Sequence, residues 1–342
     1  MSVFDMPDFD GHEQVAFFSD AGSGLKAIIA IHNTNRGPAL GGCRMWSYAD
    51  SSEALTDALR LSKGMTYKAA ITDLALGGGK SVILGDARAD KTEAMMQAMG
   101  EAVDRMGGRY IVAEDVGTTV PDMDLIRTRT HHVAGVTGGA GDPSPSTAHG
   151  VYIGIRAAVR HRLDRNSLDG IRVSVQGVGS VGHSLCERLH GDGAQLWVTD
   201  ISEEALERTR DEFGATVVGP DAIYDLEVDV YAPCALGATV NDDTIPRLRA
   251  PIVAGSANNV LAEERHGLEL RERNILYAPD YVINAGGLID VARFPLGISL
   301  EEAKVKLEQI DDTLTEIFAR AETEGLPTSE IADRIAEERF QA

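Results

Sequence analysis

The sequence predicts an α/β protein in two domains, and three observations carry that prediction. Its 342 residues exceed what a single hydrophobic core usually serves. Beyond residue 150, short apolar runs alternate with helical stretches, the pattern of a parallel sheet covered by helices on both faces. Between these regions lies GVTGGAGDPSPS, residues 135–146, whose glycine, proline and serine content suits a linker. We therefore expect a first domain of residues 1–140, completed by a C-terminal helix in 325–342, and a second domain of residues 141–324.

In the first domain Leu25 to His32 is rich in Ile and Ala and reads as a strand. Glu53 to Tyr67 repeats apolar residues at helical spacing through Leu55, Leu59 and Met65. Val82 to Leu84 reads as a short buried strand. Asp90 with Glu93 three residues on is a helix-start signature, and the stripe Met95, Met96, Met99, Val103, Met106 runs on to Gly107-Gly108. That stripe reads as core or subunit contact. Arg109 to Ala113 is the next strand, and a helix begins near Pro121.

The second domain opens with a helix at Val151 to Leu163. Strands follow at Ile171–Val175, Gln195–Thr199, Thr216–Val218, Val228–Ala232, Ile252–Ala254 and Ile275–Ala278. Leu300 to Arg320 and Ser329 to Phe340 read as closing helices.

Composition narrows the function. With 32 basic and 53 acidic residues the net charge is -21, which disfavours nucleic acid and anionic membrane as partners. The first fourteen residues are acidic, unlike a targeting signal, and no apolar run approaches the 18 or so residues of a membrane span, so a cytoplasmic protein is expected. Cys43, Cys186 and Cys234 lack metal or disulfide spacing and read as small buried hydrophobes. The nine histidines include no HExxH, and no metal is expected.

Gln176 ends a strand, and Gly177-Val178-Gly179-Ser180-Val181-Gly182 then leads into a helix. In that context the first glycine makes the tight turn, the second lets backbone approach a pyrophosphate, and the third allows close helix packing. Asp200 ends the next strand, where a carboxylate accepts from ribose hydroxyls. Ile201 and Ser202 beside it offer nothing to a 2′-phosphate, which favours NAD over NADP. The alternative is a structural glycine turn, with Asp200 capping the next helix. His183, inside the motif's helix, reads as exposed rather than catalytic.

Only seven of the basic residues are lysines, and Lys63, Lys68 and Lys80 fall in one short stretch. Lys68 and Lys80 are joined by a segment ending in Gly77-Gly78-Gly79, read as a loop whose backbone lies close to something. If the two ammonium groups share a cleft, one is discharged enough to act as a base while the other holds a carboxylate. Two solvated surface lysines are the alternative. Asp115 follows the strand 109–113 and either faces that cleft or caps the helix near Pro121.

These segments together resemble the amino-acid dehydrogenases of the glutamate, leucine, phenylalanine and valine group, nearest to the leucine-acting members. The stretches are GPALGGCRM (37–45), GMTYK (64–68), GGGK (77–80), AEDVG (113–117), APCALG (232–237) and NAGG (284–287). The resemblance implies an N-terminal substrate-binding and oligomerisation domain, a Rossmann-type NAD domain, an active site in the cleft between them, and a homo-oligomer. It implies reversible oxidative deamination of an L-amino acid to its 2-oxo acid and ammonia.

Carried over by position, Lys68 binds the substrate carboxylate with backbone at Gly41 and Gly42. Lys80 activates water, and Asp115 exchanges protons with the amine. Thr147 holds the nicotinamide amide, while Asn258 and Asn284 line the junction of cofactor and substrate. Leu40 stands where glutamate-specific members carry lysine and would leave a γ-carboxylate unpaired. With Ala113 and Val291 it favours branched aliphatic side chains over an aromatic ring. The competing expectations are the same chemistry on an aromatic amino acid such as phenylalanine, an NAD-binding protein without turnover, and a Schiff-base enzyme using Lys80.

Overall fold

A computed structural model describes residues 2–139 and 142–341. The boundary expected between 140 and 141 falls on two residues outside that set. Internal contacts divide the chain into two units, Met1–Gly141 with Val291–Leu300 and Ala336–Ala342, and Asp142–Asp290 with Glu301–Ile335. The first unit thus takes a second excursion, 291–300, that the sequence did not suggest. It also takes the terminal helix only from Ala336 rather than from 325. The reason is local: Phe340 packs edge-on against Tyr67 and His32, and the Arg36 guanidinium donates to the Arg339 carbonyl. Asp333, one turn earlier, instead accepts from Tyr281.

The first unit holds β1 (Gln14–Asp20), β2 (Leu25–Asn33), β3 (Ala39–Trp46), α1 (Ser51–Ile71), β4 (Gly77–Leu84), α2 (Glu93–Asp104), β5 (Tyr110–Glu114) and α3 (Val120–Arg127). Its sheet runs β1-β2-β4-β3-β5. β2 is antiparallel to both neighbours, and β3 is parallel to β4 and β5. The methionine stripe is core: Met95, Met96, Met99 and Met106 pack with Ile29, Ile31 and Val112. The cap of α2 is Thr92, which accepts from the Met95 amide, not Asp90, which accepts from Asp86.

Two expectations change here. α1 continues through Lys68 to Ile71, and the supposed glycine loop is the start of β4, so only Thr72–Leu76 connects them. Glycine has poor strand propensity, but close approach decides. A methyl group on Gly78 would lie 2.0 Å from the Thr66 amide nitrogen of α1, and one on Gly77 would lie 2.0 Å from the Asn33 carbonyl oxygen. The hydrogens of these residues let helix and strand press together.

The second unit begins with α4 (Ser144–Leu163), whose first turn occupies the end of the interval read as linker. It continues with β6 (Arg172–Gln176), α5 (Ser180–Gly191), β7 (Gln195–Thr199), α6 (Glu203–Phe213), β8 (Thr216–Val217), β9 (Val230–Pro233), β10 (Ile252–Val253), α7 (Arg265–Glu272), β11 (Leu276–Tyr277) and α8 (Asp280–Ile283). The helices α9 (Gly286–Leu296), α10 (Leu300–Glu324) and α11 (Thr328–Gln341) follow. The six strands are all parallel in the order β11-β10-β9-β6-β7-β8, as the alternation predicts. Strand order therefore reverses at β6 and β9, the switch point beside which such sheets bind ligands. The turn after β6 is the glycine motif.

Candidate active site

In the first unit the registers set the chemistry. Leu40 of β3 pairs with Gly78 of β4, so by count Gly42 stands level with Lys80, and on the other side Gly42 pairs with Ala113 of β5. Paired residues share a face, so Gly42, Arg44 and Lys80 look the same way. Asp115, just past β5, reaches back over β3 to the Lys80 ammonium, which donates to Asp115 Oδ2. A methyl on Gly42 would lie 2.6 Å from Asp115 Cβ, which explains the glycine. Gly41 is as constrained, since a methyl there would lie 1.7 Å from the Gly79 carbonyl oxygen. The Tyr110 hydroxyl, 2.8 Å from Gly41 O and 3.0 Å from Ser81 Oγ, braces the same place from below.

Lys80 is only 6% exposed and Asp115 is half-buried. Burial pushes the Asp115 carboxyl up, but the Lys80 charge and hydrogen bond together with Arg44 outweigh it, and the net displacement is below the usual carboxylate range. The Asp115 amide donates to Thr118 Oγ1, which in turn donates to the Cys43 carbonyl, so the turn carrying the acid is tied to β3. Of the two readings left open for Asp115, the acid faces Lys80, while the cap of α3 comes from Thr119 with Asp122. Cys43 is fully buried and its thiol is pushed up to about 12 by burial, which leaves it inert.

Lys68 lies half-buried in the last turn of α1. It and Lys80 are each two residues beyond the Thr66–Gly78 contact of helix and strand. The Lys80 ammonium pairs with the Asp115 carboxylate. Leu40 is 2% exposed and Ala113 half-buried beside the same glycines. Val291 is half-buried in α9.

Sequence reasoning gave no role to Arg44, Asp57 or Tyr48. The Arg44 guanidinium donates to Asp57 Oδ2 at 3.0 Å, the Tyr48 hydroxyl donates to the same oxygen at 2.6 Å, and Arg44 Nε lies 3.3 Å from Asp115 Oδ2. The available signal was Arg44 itself, a cation two residues beyond Gly42 and so on its face of the strand.

In the second unit Gly177 has φ +96°, and a methyl there would lie 2.6 Å from Ala235 Cβ. A methyl on Gly182 would lie 2.0 Å from Gly177 O, whereas around Gly179 there is open space. Ser180 begins α5 exposed, with Val181 half-buried, and no side chain caps that helix end. Its amides are thus available to an anion. Asp200 accepts from the Val178 amide at 2.7 Å and from the Ser202 amide at 2.9 Å, so it fixes both the glycine turn and the entry to α6. The cap of α6 is Ser202. A dinucleotide fits this turn: the close contacts fall at the first and third glycines and the free space at the second. His183 is not simply exposed; it packs on Phe213 beside Glu212.

Thr147 lies in the first turn of α4 and donates to Pro143 O, with Gly287 so close that a methyl there would lie 2.7 Å from its Oγ1. Buried Asn284 donates to Ser256 O at 3.1 Å and to Asn258 Oδ1 at 2.8 Å, bringing the two asparagines together. Among the described residues Asp242, His266 and Glu269 bring three potential metal-ligand atoms within 4.8 Å of one another. Arg265 already pairs with Asp242 at 2.7 Å and Glu269 at 2.6 Å, so an ion-pair network accounts for the cluster.

Comparison with known proteins adds to this geometry. The family model described as Glu/Leu/Phe/Val dehydrogenase, dimerisation domain, matches residues 12–132, and that of Glutamate/Leucine/Phenylalanine/Valine dehydrogenase matches residues 197–334. Leucine dehydrogenase of Thermoactinomyces intermedius is 55% identical over 344 residues, spanning 100% of this chain and 94% of that protein. The leucine dehydrogenase of Geobacillus stearothermophilus is 54% identical with the same coverage. Among solved structures, L-tryptophan dehydrogenase from Nostoc punctiforme is similar with a TM-score of 0.88 and 46% identity, over 97% of this chain and 96% of that one.

Proposed function

Because the chain belongs to the Glu/Leu/Phe/Val dehydrogenase family, we propose that it catalyses the NAD-dependent, reversible oxidative deamination of a branched-chain aliphatic L-amino acid to its 2-oxo acid and ammonia. The observation that carries the chemistry is the Lys80–Asp115 pair formed across Gly42. Full-length relatives at 51–55% identity that are leucine dehydrogenases support the substrate class.

Lys68 and the backbone at Gly41 and Gly42 bind the α-carboxylate. Asp115 Oδ2 takes a proton from the substrate ammonium, so that the nitrogen lone pair can form the imine as hydride leaves the α-carbon. The bound dinucleotide supplies the hydride acceptor. Lys80 Nζ, once it has released its own proton, removes one from water as the water oxygen adds to the imine carbon; Asp115 then returns its proton to the nitrogen, and the hydroxyl proton leaves as the carbonyl forms and ammonia departs. A proton couple held at one carboxylate oxygen suits both directions.

Asp200, with Ile201 and Ser202 following, accepts from ribose hydroxyls and repels a 2′-phosphate, which selects NAD. Buried Leu40, with Ala113 and Val291, surrounds the substrate side chain with apolar groups. A γ-carboxylate there would lose several kcal/mol of solvation without a partner. We place the enzyme in the cytoplasm as a homo-oligomer; no helix among the described residues is long and apolar enough to cross a membrane.

The test is a panel of L-leucine, isoleucine, valine, phenylalanine, tryptophan and glutamate with NAD or NADP, read as reduced-cofactor absorbance at alkaline pH. The expected result is highest kcat/KM for a branched aliphatic substrate with NAD. An aromatic optimum or flat traces throughout would overturn the reading. Light scattering of the purified chain checks the oligomer.

A further inference from the structure

We infer that Arg44 is a positioning residue of the Lys80–Asp115 centre: anchored by Asp57 and Tyr48, it places a second positive charge on Asp115 Oδ2 and so sets the pH at which the pair exchanges protons. The inference rests on the acid–base reading given above and goes beyond it, because Arg44 acts through Asp115 and not on the substrate.

Three observations carry it. The hydrogen bonds of Arg44 go to Asp57, at 3.0 and 3.3 Å, and Asp57 is itself held by the Tyr48 hydroxyl at 2.6 Å. Arg44 Nε is buried and has no hydrogen-bond partner, yet lies 3.3 Å from Asp115 Oδ2. Lys80 donates to that same oxygen. A buried N–H left without a hydrogen bond is costly. Here the bonds from Nη1 to both Asp57 oxygens hold it there, and its action on Asp115 is that of a charge. Because the guanidinium keeps its proton at every accessible pH, it is a fixed cation beside two titrating groups.

The sign follows from that. A fixed positive charge favours loss of a proton from Asp115 and from Lys80 alike, so its removal delays both losses to higher pH. The other groups facing the centre do not reverse this. Cys43 and Tyr110 are buried and neutral, Thr118 does not titrate, and Asp122 on α3 is neutralised by Lys91 at 2.8 Å. Asp57 and Tyr48 on the far side of Arg44 act through it, and Glu114 is exposed.

The experiment is the pH profile of kcat for L-leucine oxidation in the wild-type protein and in Arg44→Gln, Arg44→Lys and Asp57→Asn, with Lys80→Ala and Asp115→Asn measured alongside. Arg44→Gln is expected to move the acid limb up by about one pH unit. Arg44→Lys, which restores charge without the guanidinium, brings it most of the way back. A profile lowered at every pH but not moved marks a merely structural residue and overturns the proposal. Should Arg44→Gln fail to fold, Asp57→Asn decides: losing the anion that draws the guanidinium away leaves more positive charge on Asp115 and moves the acid limb down, and an unmoved limb overturns it. Full kcat in Lys80→Ala and Asp115→Asn would instead sink the acid–base reading itself.

Discussion

Asp115 reaches its lysine partner only because Gly42 has no side chain: a methyl group at Gly42 would fall 2.6 Å from Asp115 Cβ and 2.9 Å from the Glu114 carbonyl oxygen. The pair joins β4 to the end of β5 across the strand that separates them. Reactive groups on one strand, a spacer strand stripped of bulk and a second group reaching over it form one unit.

Gly42→Ala should therefore displace Asp115 by about an ångström, and a displacement of that size costs on the order of 10²-fold in rate. Initial rates with L-leucine and NAD, beside a melting curve to confirm folding, provide the check. A folded variant within threefold of wild type would show that the spacer is not needed.

Leu40→Lys should exchange one substrate preference for another. The amine would sit where Leu40 is now 2% exposed, next to Gly41, and would lack a partner until a side-chain carboxylate arrived. We expect kcat/KM for L-leucine to fall by about 100-fold and activity on L-glutamate to become measurable. Unchanged leucine kinetics would remove Leu40 from the pocket.

Asp200→Ala should weaken NADH binding by about tenfold or more, since the Val178 amide loses its acceptor and the glycine turn its anchor. NADPH binding should change less, because the lost carboxylate also repelled the 2′-phosphate. Fluorescence titration with both reduced cofactors reads this without turnover, and equal effects on the two would contradict the assignment.

His32 gives a stability prediction. It is 6% exposed, and burial, reinforced by the neighbouring His12, lowers its pKa from 6.5 to about 4. The ring is hydrogen-bonded to Thr66 Oγ1 and packs edge-on against Phe340. The unfolded chain binds this proton first, so the contribution is full above about pH 6.5 and is lost as pH falls toward 4. Between pH 7 and 5 that amounts to about 2 kcal/mol. Urea unfolding of wild type and His32→Phe at both values should show the variant with a correspondingly shallower dependence; parallel curves would refute it.

Much of this molecule is legible in its sequence where side chains carry the signal. The methionine stripe of α2, the Ile and Ala run of β2 and five of the six short strands of the second unit bury apolar side chains, while β8 is exposed at Val217. What escaped was structure specified by missing side chains. Gly77–Gly79 of β4 read as loop in sequence and Gly41–Gly42 of β3 gave no strand signal, yet each makes room for Thr66, Tyr110, a neighbouring strand or Asp115. Periodicity has nothing to detect there. At the site, Lys80 and Asp115 stood out as residue types, but their partnership depends on the order β4-β3-β5, and Arg44 joins them only through the same register. Asp57, thirteen residues on in α1, meets Arg44 only after the chain has turned from strand into helix.

The crowding at Gly41, Gly42, Gly78 and Gly79 also governs how such a protein can be reshaped. Every substitution at those four positions drives a new carbon into backbone or ring atoms less than 3 Å away, so a search for altered selectivity gains nothing by randomising them. Variation then enters through Leu40, Ala113 and Val291, the residues proposed to line the side-chain pocket. A library confined to those three would leave the proton machinery whole and spend its diversity on the choice of amino acid.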